Sequence, residues 1–148
     1  MIEYSTGDIF SINIEALVNP VNCVGIMGKG LALEFKKRYP QNFAWYYKIC
    51  SDNRLTPGKV LTTYVGLDTV DYIINFPTKR HWRDSSTIEC ISTGLDALLL
   101  EIKKLHIKSI ALPALGCGNG KLLWSDVKPL MEARLSSSEF QAIVFEPI

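Results

Sequence analysis

Two stretches of the chain gather glycines in a way that frees backbone amides to hold an anion. The first reads Asn19, Pro20, Val21, Asn22, Cys23, Val24, Gly25, Ile26, Met27, Gly28, Lys29, Gly30, and the second Leu115, Gly116, Cys117, Gly118, Asn119, Gly120. Each follows a run of apolar, β-branched residues and leads into a helical pattern. Glycines let the backbone take positive φ and approach a ligand closely, and the free N–H groups at the start of the next helix favour negative charge. A tight strand-to-helix turn with no ligand has the same composition, so one loop alone decides nothing. Two such loops leaving two strands face each other across one end of a sheet, which suits a diphosphate better than a lone phosphate. Neither matches GxxxxGK[ST] or GxGxxG, and this disfavours a nucleoside triphosphatase or a dinucleotide dehydrogenase. Lys29 and Lys121 read as solvated charges on the rim.

A third segment, Asn75, Phe76, Pro77, Thr78, Lys79, Arg80, His81, Trp82, Arg83, leaves another strand. Lys79 would project from the same sheet end as the glycine loops, where burial lowers a lysine pKa toward that of a nucleophile or base. An ordinary surface lysine in a basic loop has the same local sequence. Arg80, His81, Trp82 and Arg83 interleave cations with rings, offering phosphate contacts and base stacking to a single-stranded nucleic acid. Packing of Trp82 on the sheet, with the cations solvated, fits the pattern equally well. The four cysteines, Cys23, Cys50, Cys90 and Cys117, contain no CxxC pair, and His81 and His106 stand alone. A zinc site is therefore not expected, and the thiols read as small apolar residues. No Ser/His/Asp set or paired carboxylate can be assembled from the rest.

The elements that must position these groups follow from periodicity. Strand patterns occupy 2–4, 16–18, 60–65, 72–76, 109–112 and 142–145. The clearest helix runs from Ile88 through Ile91, Leu95, Leu98 and Leu99 to Ile102, with Ser86 and Glu89 read as its capping box. Others are expected over 30–39, stopped by Pro40, over 41–50, and after Ser125, with Pro129 in the first turn where proline is tolerated. Strands interleaved with helices make an α/β protein whose sheet is parallel or mixed and covered on both faces. Ligands then sit beyond the carboxyl ends of the strands.

A chain of 148 residues, 47% of them apolar, buries one core without staples. No repeat, low-complexity tract or linker divides it, so a single domain over 1–148 is expected. Sixteen basic against fifteen acidic residues give a net charge of +1, which excludes binding of nucleic acid or anionic membrane by bulk attraction. The longest charge-free stretch, 16–28, is shorter than the roughly 20 apolar residues of a membrane span. The first residues carry no signal-peptide pattern. A cytoplasmic protein with no membrane partner is expected.

Four ordered motifs carry a family resemblance: Gly7, Asp8, Ile9; then Val18, Asn19, Pro20, Val21, Asn22; then Gly28, Lys29, Gly30; then Leu112, Pro113, Ala114, Leu115, Gly116, Cys117, Gly118. Over nearly the whole chain they resemble the macrodomain, an ADP-ribose-binding module. The resemblance implies a three-layer α/β/α sandwich around a six-stranded mixed sheet, with ADP-ribose as ligand and its diphosphate between the two glycine loops. It implies that Asp8 accepts from the adenine amino group, that the backbone at Ile9 meets the ring and that Asn22 faces the distal ribose. Asn19, Val24, Gly25, Met27, Thr78 and Leu115 join the glycine loops in the implied binding set. As residues alone, Asp8 reads equally as a turn or helix cap and Asn22 as a loop residue bonding its own backbone.

The segment from Asn75 to Arg83 resembles the subgroup of bacterial antitoxin macrodomains that remove ADP-ribose from thymine in DNA. That implies Lys79 as the catalytic residue and contact of Arg80, His81, Trp82 and Arg83 with the DNA. A eukaryotic subgroup that hydrolyses ADP-ribosyl glutamate esters also carries a lysine there, together with an acidic residue after its second glycine loop. Asn119 and Gly120 stand at that place here. The implied activity is a metal-independent hydrolase, without cofactor, that frees ADP-ribose from single-stranded DNA, with a cognate DNA ADP-ribosyltransferase toxin as partner. Two other activities compete with it. One removes a phosphate or acyl group from the distal ribose, as an ADP-ribose 1″-phosphate phosphatase or an ADP-ribosyl-protein hydrolase does. The other is binding of ADP-ribose without chemistry.

Overall fold

The computed structural model describes residues 1–147, and each of the strand patterns becomes a strand of one sheet. The strands are β1 (Ile2–Ser5), β2 (Ala16–Val21), β3 (Leu61–Leu67), β4 (Val70–Pro77), β5 (Ser109–Pro113) and β6 (Gln141–Phe145), in the order β1-β6-β5-β2-β4-β3. All neighbours pair in parallel except β3, which runs antiparallel to β4 along one edge. Helices α1 (Gly30–Arg38), α2 (Pro40–Ser51), α3 (Ile88–Lys104) and α4 (Trp124–Leu135) fill the connections.

The period of two along each strand sorts its side chains between two cores. Ala16, Val18, Ile74, Phe76, Ile110, Leu112, Ala142 and Val144 face α3 and α4, meeting Ile91, Leu95, Leu98, Val127, Met131 and Leu135. The alternate residues Leu17, Ile73, Ala111 and Phe145 face the other way, onto Ile9 and the α1 residue Phe35. Val21, Met27 and Leu55 enclose Tyr46 and Ile49 of α2 on that side. The result is the three-layer α/β/α sandwich with a six-stranded mixed sheet.

Most element boundaries lie one to three residues from the sequence reading, and four of the differences have a local reason. Strand β2 continues to Val21, because Asn19, Pro20 and Val21 keep their register with Asn75, Phe76 and Pro77 of β4. Pro20 is accommodated there because pairing with β5 has already ended at Leu17, so no ladder on that side needs its missing N–H. Pro40 does not merely stop α1 but opens α2 at its first position, where a fixed φ and an absent N–H cost nothing.

The capping assignment also moves by one residue. Thr87 is the N-cap of α3, its hydroxyl accepting from Cys90 N–H at 3.2 Å, while Ser86 is buried and donates its N–H to Gly120 O at 2.9 Å. Ser86 is thus tied to the second glycine loop and not to the helix. Helix α4 begins at Trp124, with Asp126 and Val127 both bonding Leu123 O, which places Pro129 in the second turn. Its ring lies on the exposed side, where the unpaired carbonyl one turn earlier is cheapest to tolerate. Among the described residues no helix is long and apolar enough to cross a membrane.

Candidate active site

Because β1, β2, β4, β5 and β6 run parallel, the loops at their carboxyl ends open on one edge of the sheet. There they enclose a cavity of about 820 Å3, within the size range of small-molecule sites. Gly7, Asp8 and Ile9 line it after β1, Asn22, Gly28, Lys29 and Gly30 after β2, and Thr78, Lys79 and Trp82 after β4. Gly116, Cys117, Gly118, Asn119 and Gly120 line it after β5. Both glycine loops and Lys79 are therefore brought to one space.

Asn19, Val24, Gly25, Met27 and Leu115 do not line that space, nor do Arg80, His81 and Arg83. Asn19, fully buried in β2, donates from Nδ2 to Asn75 Oδ1 at 3.1 Å. Asn75 and Asn42 exchange side-chain bonds beside it, and Thr63 donates to Asn42 Oδ1 at 2.7 Å. Met27 and Leu115 are core residues, Val24 is exposed, and Gly25, at φ +81°, turns its back on the Tyr47 ring. These positions shape the loops from behind.

The first loop is held by side chains. Asn22 Oδ1 accepts from Val24 N–H at 3.1 Å and from the Tyr46 hydroxyl at 2.7 Å, and its Nδ2 donates to Ile26 O at 2.8 Å. Asn22 therefore reaches the cavity wall with its amide engaged by its own loop. The second loop is held by backbone. Cys117, Lys121 and Leu122 donate to Ala114 O, Gly118 O and Gly116 O, and Gly116 sits at φ +76°. A Cβ on Gly120 would meet Ser86 Oγ at 2.2 Å and Gly116 O at 2.5 Å, whereas Gly118 has nothing within 4 Å of that position. Only the tip of the loop is open.

Lys79 is 9% exposed and stands between these loops. Its Nζ donates to Trp82 O at 3.1 Å and Asn119 O at 3.4 Å, and no ion pair among the described residues includes it. Burial, reinforced by the nearby charges of Lys29 and Lys121 and opposed by Asp84, holds its pKa below the ordinary lysine value. The backbone around it is stitched to the first loop, since Thr78 N–H donates to Val21 O and Cys23 N–H to Arg80 O. Trp82 is exposed at the rim, stacked on His81 at 5.2 Å with the Arg83 guanidinium over its ring at 4.7 Å. His81 Nδ1 accepts from Arg83 N–H, and Asp84 Oδ2 accepts from His81 N–H, so the rim is braced internally.

Asp8 both caps the short 3-10 helix Ile9–Ser11, accepting Phe10 N–H at Oδ1, and lines the cavity. The thiols are poor nucleophiles here, burial pushing Cys23 up to about 12 and Cys117 upward as well. Sequence reasoning missed the wall formed by Phe145, Glu146 and Pro147. Glu146 is fixed by Trp124 Nε1 at 2.9 Å and Lys128 Nζ at 3.1 Å, bonds that hold its carboxyl below the usual range. The strand pattern at 142–145 was visible, but only parallel pairing with β1 and β5 turns its exit toward the site.

The family model for the macro domain matches residues 18–131. The DNA ADP-ribosyl glycohydrolase of Mycobacterium tuberculosis is 47% identical over 149 residues, which cover 99% of this chain and 42% of that protein. The structure of the macrodomain of Mycobacterium tuberculosis DarG superposes with a TM-score of 0.97 at 45% identity, covering 100% of this chain and 99% of that one. A Thermosipho africanus DNA ADP-ribosyl transferase-DNA ADP-ribosyl glycohydrolase fusion protein is 36% identical over 158 residues, covering 96% of this chain and 41% of its own. The structure of Thermosipho africanus DarTG in complex with ADP-ribose matches with a TM-score of 0.93 at 35% identity, over 99% of this chain and 42% of that one. The chain spans 41–42% of the length of these curated relatives.

Proposed function

The chain belongs to the macro domain family, and on that premise we propose that it hydrolyses the bond between ADP-ribose and a thymine base in single-stranded DNA. The observation that carries this reading is the position of Lys79, nearly buried and with no ion-pair partner among the described residues, against the two glycine loops. Backbone N–H groups of those loops hold the diphosphate, as the modest net charge requires. Asp8 takes the adenine amino group, and the distal ribose then lies toward Lys79. Asn22 serves by shaping the first loop, since its amide is already engaged.

Lys79 acts on the anomeric carbon of that ribose. Its amine displaces the thymine base from that carbon, or captures the opened sugar as an imine with loss of the base, water then hydrolysing the lysine adduct; or it takes a proton from a water that displaces the base. In each route the departing base is protonated. All three routes need a neutral amine, which burial and the neighbouring lysines favour. Trp82 and the cations Arg80 and Arg83 at the rim meet the DNA next to the modified base, with His81 bracing Trp82. The names of the Mycobacterium and Thermosipho relatives support the substrate class, and the fused transferase of the latter supports a cognate DNA ADP-ribosyltransferase toxin as partner.

Incubation with an oligonucleotide ADP-ribosylated on thymine, followed by mass analysis, tests the reading. Free ADP-ribose and unmodified oligonucleotide are the expected products. Binding of ADP-ribose with no release would make the chain a reader, and turnover of ADP-ribose 1″-phosphate in place of the DNA would make it a phosphatase.

A further inference from the structure

Ser86 is 4% exposed, and its hydroxyl has no hydrogen-bond partner among the described residues. An orphaned hydroxyl in the interior forfeits its hydrogen bonds to water without replacement, so its retention needs a reason. The cap of α3 is not that reason, because Thr87 supplies it. Ser86 instead packs against the second glycine loop from outside the cavity: its N–H donates to Gly120 O at 2.9 Å. Its Oγ stands 2.2 Å and Gly116 O stands 2.5 Å from one and the same point, the site a Cβ on Gly120 would occupy. The hydroxyl and the Gly116 carbonyl thus crowd the same face of Gly120, at the neck of a loop whose tip lines the cavity.

Ser86 also ends the segment that Lys79 begins. Lys79 Nζ donates to Asn119 O, and Ser86 N–H donates to the carbonyl one residue later. The segment 79–86 is therefore joined to the second glycine loop at both of its ends. Any inward movement of residues 116–120 onto an anion displaces the groups around Ser86 Oγ and the acceptor of Lys79 together.

We propose that Ser86 is a positioning residue: its hydroxyl gains a loop backbone partner, Gly116 O or Gly120 N–H, when the loop closes on a diphosphate, and so couples ligand binding to the placement of Lys79. This rests on the function proposed above, because it takes the diphosphate of ADP-ribose as the group that draws the loop in. The device costs nothing at the phosphate itself. It makes the closed loop the state in which the buried hydroxyl is satisfied.

The test compares Ser86→Ala, which removes only the hydroxyl, with wild type in three measurements: melting temperature without ligand, ADP-ribose affinity by calorimetry, and kcat and KM on the modified oligonucleotide. The expected result is a ligand-free melting temperature unchanged or raised, ADP-ribose affinity weaker by about fivefold, the equivalent of one ordinary hydrogen bond, and a fall in kcat beyond the change in KM. Ser86→Cys, a near-isosteric weak donor, should lie between the two. A melting temperature lowered without ligand would show the hydroxyl already bonded in the free protein, and unchanged affinity and kcat would show it idle. Either result overturns the proposal. Failure of wild type itself to bind ADP-ribose would instead remove the functional reading, and the proposal with it.

Discussion

The two glycine loops each carry three glycines and one cysteine and are held in opposite ways. The first is a side-chain structure: the Asn22 amide makes four bonds, three within its own loop and one to Tyr46, a fully buried residue of α2. The second is a backbone structure, three turn bonds over Gly116 and Gly120, with a buried serine behind it and open space at Gly118. A loop fixed by side chains transmits damage to the fold, because those side chains are also core. A loop fixed by glycine geometry transmits damage to the ligand, because its atoms stand between the cavity and one packed neighbour. Lys79 joins the two, its carbonyl lying 3.7 Å from Cys23 Sγ and its amine reaching Asn119 O.

The largest effect is expected at that junction. Lys79→Ala should lower release of ADP-ribose from DNA by about 10²–10⁴-fold while calorimetry shows ADP-ribose affinity within about threefold, since both loops survive the change. In wild type the rate should rise with pH and level off below the ordinary lysine value, because the depressed pKa makes the neutral amine available earlier. A rate that falls over this range would exclude the neutral amine as the working form. Lys79→Arg keeps the charge but cannot readily lose a proton, so near-normal turnover in that variant would leave only an electrostatic role. Borohydride trapping of a stable adduct on Lys79 would select the imine route.

Next come the glycines of the second loop, which sharpen the contrast because neighbouring positions should behave differently. Gly118→Glu should abolish ADP-ribose binding by charging open space at the tip, whereas Gly118→Ala should bind nearly as wild type. Gly120→Ala, whose new methyl meets Ser86 Oγ and Gly116 O, should weaken binding by about tenfold or more through strain of roughly 1–3 kcal/mol. Equal affinities for the two alanine variants would dissolve the distinction between tip and neck.

The first loop predicts the converse partition. Tyr46→Phe removes the hydroxyl bonded to Asn22 O and Oδ1 and should cost about 1–3 kcal/mol of stability in chemical denaturation, with ADP-ribose affinity changed by only about threefold. Loss of affinity without loss of stability would mean that the loop is not held as described. The smallest effect is expected at the thiols. Cys23→Ala and Cys117→Ala should each keep turnover within about tenfold, as burial disfavours either thiolate. Complete inactivation in a folded variant would point to a thiol mechanism.

What the sequence determined by itself is whatever depends on neighbours along the chain. Alternation of apolar residues specified the strands, since a slip of one residue would turn Ile73 and Ile74 to the wrong cores. Glycine spacing located both loops, where Gly25, Gly30 and Gly116 sit at positive φ and Gly120 has no room for a Cβ. The motif order and the lysine segment led to the family. What only the tertiary structure decided is what depends on groups distant in sequence. Asn19 and Asn22 look alike in the first loop, yet pairing with Asn75 buries one and the Tyr46 hydroxyl occupies the other. Ser86 has the spacing of a cap, but the carbonyl of Gly120, folded over it, claims its N–H and leaves Thr87 to cap α3. The wall at Phe145, Glu146 and Pro147 belongs to the site because β6 lies parallel between β1 and β5. The depressed pKa of Lys79 has the same origin: desolvation comes from the closing of several chain segments around one amine, and no local stretch of sequence encodes it.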